Sequence, residues 1–376
     1  MTTTSVPAPV AAQATRRPSI LSPIVDLLCV GGLSIILLVP MLLSGRTDLL
    51  LVGAGTQAWL ASLINMPHFM ASYRIVYRSR EMILRHRWAS MYVPALLLLY
   101  SVFALWQAQY TPDFVTIFVA VASGYLAWHY TGQVWGMMAS YTYLDGARFD
   151  TLERWLIRGS LRILLVWHLT WFVYHNVVAI NFGPVYQAMN YFTLVALLLG
   201  GVGLMRMRRR TGKLPPMRAL VAWLAIFVWY AALARDPKAL FWVQIAHALQ
   251  YLEFPVRVEL NRQSASAAGR VAGRMVLYGS VLLGVSLLMG LVVPRTAMDV
   301  IGASMGQGPG QVAPILILSF INIHHYFTDG VIWKISNPAV RKELFAHVPP
   351  PEPVPAPVQA TVAPRRGKSK GKSRRR

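Results

Sequence analysis

The chain alternates long apolar runs with short polar segments rich in Lys and Arg. The first run, 24–43, has about the ~20 residues that a spanning helix needs, and it is too long for the core of a signal peptide. Runs of similar length follow at 50–72, 91–109, 113–140, 160–180, 186–204, 218–234, 239–256, 274–293 and 312–333. They predict an all-α fold: a polytopic integral membrane helix bundle of about ten transmembrane helices, occupying 20–345. Residues 1–19 are rich in Thr, Ala and Pro and are expected to be a disordered tail. Residues 346–376 start Pro-rich and end basic, a second tail with no core-forming pattern. The loops are too short for a soluble catalytic domain, and no phosphate-binding loop, dinucleotide fingerprint or nucleophile elbow occurs. Any chemistry therefore belongs inside the bundle or at its mouth.

Composition agrees, with 55% hydrophobic and only 13% charged residues, against about 25% charged in soluble domains. The net charge of +22 would raise nucleic-acid binding first. Its distribution gives a different meaning. With a cytoplasmic N-terminus, 32 of the 36 Lys and Arg fall on the cytoplasmic side, leaving only Arg46, Arg235, Lys238 and Arg295 outside. Both termini are then cytoplasmic, nucleic acid is not the expected partner, and membrane lipids are. Eight of the last twelve residues are Lys or Arg, a tail that enforces topology and can contact anionic lipid. The single cysteine, Cys29, excludes a disulfide framework and a thiolate metal site.

Seven histidines, His68, His129, His168, His175, His247, His324 and His325, lie within predicted spans. Ionisable residues inside a membrane are costly and by default mark function. Counted back from the basic loops at ~1.5 Å per residue, His68, His129, His168, His247, His324 and His325 share one layer in the cytoplasmic half of the bilayer. Neighbours at helical spacings of three and four form an expected second shell: Asn65, Gln133, Gln250, Glu253, Asn322 and Asp329, with Asp329–His325 the best pair. Asp26, in the first span, is expected to pair with an arginine or to form part of a cytoplasmic gate. Imidazoles and a carboxylate without thiolate suit iron, copper or zinc. Nonhaem iron leads, with haem or copper as alternatives. The bland alternative is that these polar groups only hold helices together.

The segments NIHHYFTDGVIWK, WHYTGQ and AHALQYLE resemble an uncharacterised bacterial family of His-rich polytopic membrane proteins. The layout is loosely similar to membrane nonhaem-iron enzymes of lipids and carotenoids, above all the Brp/Blh-like oxygenases, whose histidines also come from separate spans. It departs from the desaturases, whose HxxxH and HxxHH boxes have no counterpart here beyond the His324/His325 doublet. The resemblance implies a multi-pass protein of the bacterial inner membrane. It would be a metal-dependent oxidoreductase acting on an acyl-lipid or isoprenoid substrate, with an unidentified electron donor. The competing expectation is a transporter or channel with a histidine proton or metal relay.

Overall fold

A computed structural model describes residues 19–176, 181–266, 270–334 and 337–348. All regular structure among them is helical. The predicted tails fall outside the described residues except at their inner ends, where the Ser19 carbonyl meets His347 Nε2 at 2.8 Å. Each predicted apolar run overlaps a helical stretch, the end of the 160–180 run (177–180) lying outside the described residues: α1 (Pro23–Ser44), α2 (54–76), α3 (Trp88–Gln107), α4 (Asp113–Leu144), α5 (Thr151–Asn176), α6 (Gly183–Thr211), α7 (Met217–Arg235), α8 (Ala239–Ser266), α9 (Val271–Met305) and α10 (Gln307–Ile332).

Eight of these helices, all but α2 and α8, are long and apolar enough to cross a membrane, so the chain is a multi-pass membrane protein by length and composition. Those two carry His68 with Ser72, and His247 with Gln250 and Glu253, polar side chains that dilute their hydropathy. Some helices outrun their apolar segments. Helix α5 begins nine residues before its run because Asp150 and Glu153 cap it reciprocally: Glu153 N donates to Asp150 Oδ1 at 2.7 Å and Asp150 N to Glu153 Oε2 at 2.8 Å. Helix α9 continues to Met305, and Gly306, at φ 100°, turns the chain into α10.

Burial separates central helices from peripheral ones. The apolar window of α9 is 11% buried, while those of α7 and α10 are 56% and 50% buried. Exposed Leu, Val and Phe on α6 and α9 form faces that only hydrocarbon would cover well. One large apolar core joins α1 and α4–α8, and two smaller clusters join α3, α4 and α10, and α2, α9 and α10. Helix α10 packs against α2, α3 and α4, and α8 lies against α2. The seam between these clusters holds the polar residues.

Two local breaks shape the seam. In α1 the ladder widens at Leu28–Gly32, where Gly31 has φ 135°. A Cβ there would lie 2.4 Å from the Ala225 Cβ, so the close approach of α7 also requires glycine. The Val30 carbonyl at this break accepts from Gln250 Nε2 on α8. A second π-helical turn, Ala61–Asn65, together with Pro67, interrupts α2 just before His68.

Candidate metal centre

Four histidine rings from four helices converge at the seam. His68 (α2), His129 (α4), His247 (α8) and His325 (α10) are all buried. Ring centroids are 4.4 Å apart for His68 and His325, 5.0 Å for His129 and His325, 4.8 Å for His129 and His247, and 5.2 Å for His68 and His247. His325 Nε2 lies 3.0 Å from His68 Nε2 and 3.3 Å from His129 Nε2. One ligand atom from each of these three residues falls within 4.8 Å of the others.

The hydrogen bonds around the rings bear on where their lone pairs point. His68 Nδ1 is 2.7 Å from the Asn65 carbonyl, which can only accept, so Nδ1 carries the proton and Nε2 the lone pair. Ser72 Oγ, one helical turn after His68, lies 3.0 Å from His325 Nδ1, 3.1 Å from Asp329 Oδ1 and 2.5 Å from Tyr251 Oη. Trp333 Nε1 donates to that same Tyr251 oxygen at 2.7 Å. In one assignment consistent with these contacts, Trp333 donates to Tyr251, Tyr251 and His325 Nδ1 donate to Ser72, and Ser72 donates to Asp329. In that tautomer His325 Nε2 also presents a lone pair; in the other, Ser72 donates to His325 Nδ1 and His325 Nε2 donates to His68 Nε2. Two imidazole lone pairs facing each other at 3.0 Å repel unless a cation lies between them.

The spacing suits such a cation. At ligand distances of about 2.1 Å, neighbouring ligand atoms stand about 3.0 Å apart at a right angle and about 3.4 Å at a tetrahedral angle. The observed 3.0 and 3.3 Å fall in that range. Asp329 Oδ2 approaches to 3.8 Å from His129 Nε2 and 3.9 Å from His325 Nε2, close enough to balance charge. Both ring nitrogens of His247 are buried without a hydrogen-bond partner, as is the Tyr130 hydroxyl beside it, whose ring centroid is 4.4 Å away.

Other expected residues lie elsewhere. His324 points about 100° around α10 from His325. Its Nε2 meets the Ala89 carbonyl at 2.9 Å, and Tyr73 stacks on its ring, so it is apart from the cluster. His168 meets Tyr230 Oη at 3.2 Å, and Tyr130 stands between it and His247. Asn65 acts through its backbone. Gln133 does not touch the His129 ring but donates to the His247 carbonyl at 3.0 Å and to Gln250 Oε1 at 3.2 Å. Asn322 bonds to the Leu318 carbonyl and accepts from Tyr326, whose ring packs on His129. Glu253 accepts from Tyr141 at 2.7 Å, away from the histidines. Asp26 does pair with an arginine: Arg218 donates to it at 2.8 Å, and the backbone N–H groups of Ile20, Leu21 and Ser22 surround its carboxylate. Ser72 was absent from the expected shell, although its i+4 spacing from His68 was visible.

A cavity of about 510 Å³ opens beside the cluster, reaching it at His129 and Asp329. Aromatic rings, including Trp88, Tyr125, Trp128, Phe254 and Phe327, form much of its wall, with Lys334 also lining it and Gly132 and Gly136 leaving space along α4. This size lies within the range of small-molecule sites.

No family model, curated protein or solved structure matches this chain.

Proposed function

We propose that the protein is a ten-span, bacterial inner-membrane metalloprotein with both termini in the cytoplasm, and that it acts as an oxidoreductase on a lipid-soluble substrate. His68, His129 and His325 would hold the ion, His247 would stand ready as a fourth ligand, and Asp329 would supply compensating charge. The observation that carries this reading is the convergence of ring nitrogens from three buried histidines on three helices, within 4.8 Å of one another. Nonhaem iron is the proposed ion, since an all-imidazole set with a carboxylate suits it as well as copper or zinc. Haem suits the geometry poorly, because a porphyrin between His68 and His129 would pass through the His325 ring.

A bound redox metal would supply electron transfer and activation of a co-substrate. The chain's own residues would do the rest. The aromatic cavity would orient an acyl or isoprenoid chain against His129 and Asp329, and its walls would exclude water. Ser72, Tyr251 and Trp333 would lock the His325 tautomer. The Brp/Blh-like resemblance supports the same class of substrate.

Metal analysis of the chain purified from membranes tests this reading. About one equivalent of iron, lost in His129→Ala and His325→Ala but kept in His324→Ala, is expected. Absence of any stoichiometric metal would overturn it. The unpaired Tyr130 hydroxyl and His247 nitrogens favour a second reading, a proton or metal relay. Proteoliposome uptake abolished by His247→Ala would place that reading first.

A further inference from the structure

A second feature lies on the outer face of α5, away from the histidines. Arg154, Arg158 and Arg162 repeat at every fourth residue and are all exposed. The spacing puts them in one row about 12 Å long. Among the described residues none of the three has a carboxylate partner. The nearby acids are engaged elsewhere: Glu153, buried on the opposite face, with Arg210 at 2.7 Å, and Asp150 with Arg206 at 3.4 Å. Aromatic rings hold two of the guanidinium groups instead, with Arg162 5.4 Å from the Trp155 centroid and Arg158 5.9 Å from that of Trp135.

The row borders two adjoining hollows. One, of about 260 Å³, is lined by Thr151, Arg154, Trp155, Arg158 and Arg162. The other, about 60 Å³, shares Arg158 and Arg162 and runs between α4 and α5 past Trp128 and Leu165. One is thus lined largely by cations, and the other continues it along apolar side chains. Exposed Leu152, Trp155 and Val166 flank the row on the same helix.

Depth decides what could neutralise it. Helix α5 has 26 residues, about 39 Å, and exceeds the ~30 Å hydrocarbon core by roughly six residues. Arg162 lies eleven residues, about 16 Å, along it, so its Cα falls below the head-group zone. Its side chain must extend toward the interface along Trp155, and an anion must meet it there. A soluble anion would have to leave water to do so, whereas a phospholipid phosphate already occupies that depth.

We propose that this groove is a binding site for an anionic phospholipid. The phosphate is gripped by Arg158 and Arg162, the rest of the head group faces Arg154, and an acyl chain runs between α4 and α5 past Trp128. Guanidinium groups match phosphate oxygens two at a time, which distinguishes such a site from general attraction to a charged surface. Trp128 and Gly132 also line the cavity beside the histidines, so the lipid would form part of that cavity's outer wall. The site stands whether or not a metal is bound.

The test uses the full chain, delipidated in detergent and titrated with phosphatidylglycerol or phosphatidylcholine, with bound lipid counted by native mass spectrometry. Phosphatidylglycerol should bind preferentially. Arg158→Ala/Arg162→Ala should weaken it about tenfold or more, the effect of losing one charged hydrogen bond, and leave phosphatidylcholine unchanged. Arg208→Ala/Arg209→Ala, in the exposed basic last turn of α6, should change neither. If the first pair fails to fold, thermal protection of the native chain by phosphatidylglycerol over phosphatidylcholine provides the readout. Equal binding of the two lipids, equal loss from the control pair, or competition by glycerol phosphate as strong as by the whole lipid would overturn the proposal. So would a dimer of the native chain that the double substitution dissolves, which would assign the face to a second copy.

Discussion

Substituting His325 with alanine removes the ring that links the other two. Its Nε2 is 3.0 Å from that of His68 and 3.3 Å from that of His129, so no other ring can replace both contacts. Structural metal sites with four ligands bind with about 10 to 16 kcal/mol, so one ligand contributes about 3 to 4 kcal/mol. His325→Ala should therefore raise the metal Kd by about two to three orders of magnitude. Ser72→Ala leaves the ligands in place but removes the hydroxyl that meets His325 Nδ1, Tyr251 and Asp329, a change that typically weakens binding about 10- to 100-fold. His324→Ala, whose ring bonds to Ala89 instead, should leave the Kd unchanged. Chelator competition in detergent measures all three, with circular dichroism confirming that helicity is kept. Metal release by His324→Ala as ready as by His325→Ala, or a larger effect from Ser72→Ala than from loss of the ligand itself, would contradict this ligand set.

Gly132→Phe and Gly136→Leu project into the cavity without meeting neighbouring atoms at Cβ; they should keep the metal and lose binding of a fluorescent acyl probe, and retained probe binding would refute the cavity's role. Gly200→Val sets a Cβ 2.5 Å from Trp223 and 2.9 Å from Ser160, overpacking that should cost about 1 to 3 kcal/mol and lower the Tm in a thermal melt. The Glu153 backbone N–H holds the Asp150 carboxyl below the usual carboxylate range. A lowered folded pKa makes the stabilisation complete above an ordinary value of about 3.9 and lost as pH falls through the lowered one. The Tm difference between the native chain and Asp150→Ala should hold steady above about pH 5 and narrow in acid; a gap that widens in acid would contradict this sign.

The helices were readable because hydrocarbon and water impose a one-dimensional rule: about twenty apolar residues, then polar ones. That rule works residue by residue and needs no partner. Where it erred, local chemistry extended the helix beyond the apolar run, as at the Asp150–Glu153 cap. That histidines recur within the apolar helices was readable, because it follows from counting along the chain. Which of them meet was less so. His324 and His325 are adjacent in sequence and share a depth, yet the 100° turn between them sends one ring to Ala89 and the other to the cluster.

Sequence alone determined that this chain is an apolar helical membrane protein, that its cations are unevenly distributed along it, and that histidines recur within its apolar helices. The tertiary structure decided which rings meet, how the Asn65 carbonyl fixes the His68 tautomer, that Ser72 meets His325, and that Gln133 and Glu253 face other partners. Hydropathy and charge act on each helix separately, whereas rotation about a helix axis is set only when neighbouring helices pack. A metal site depends on that rotation, since a few ångströms separate a ligand from a ring that only fills space.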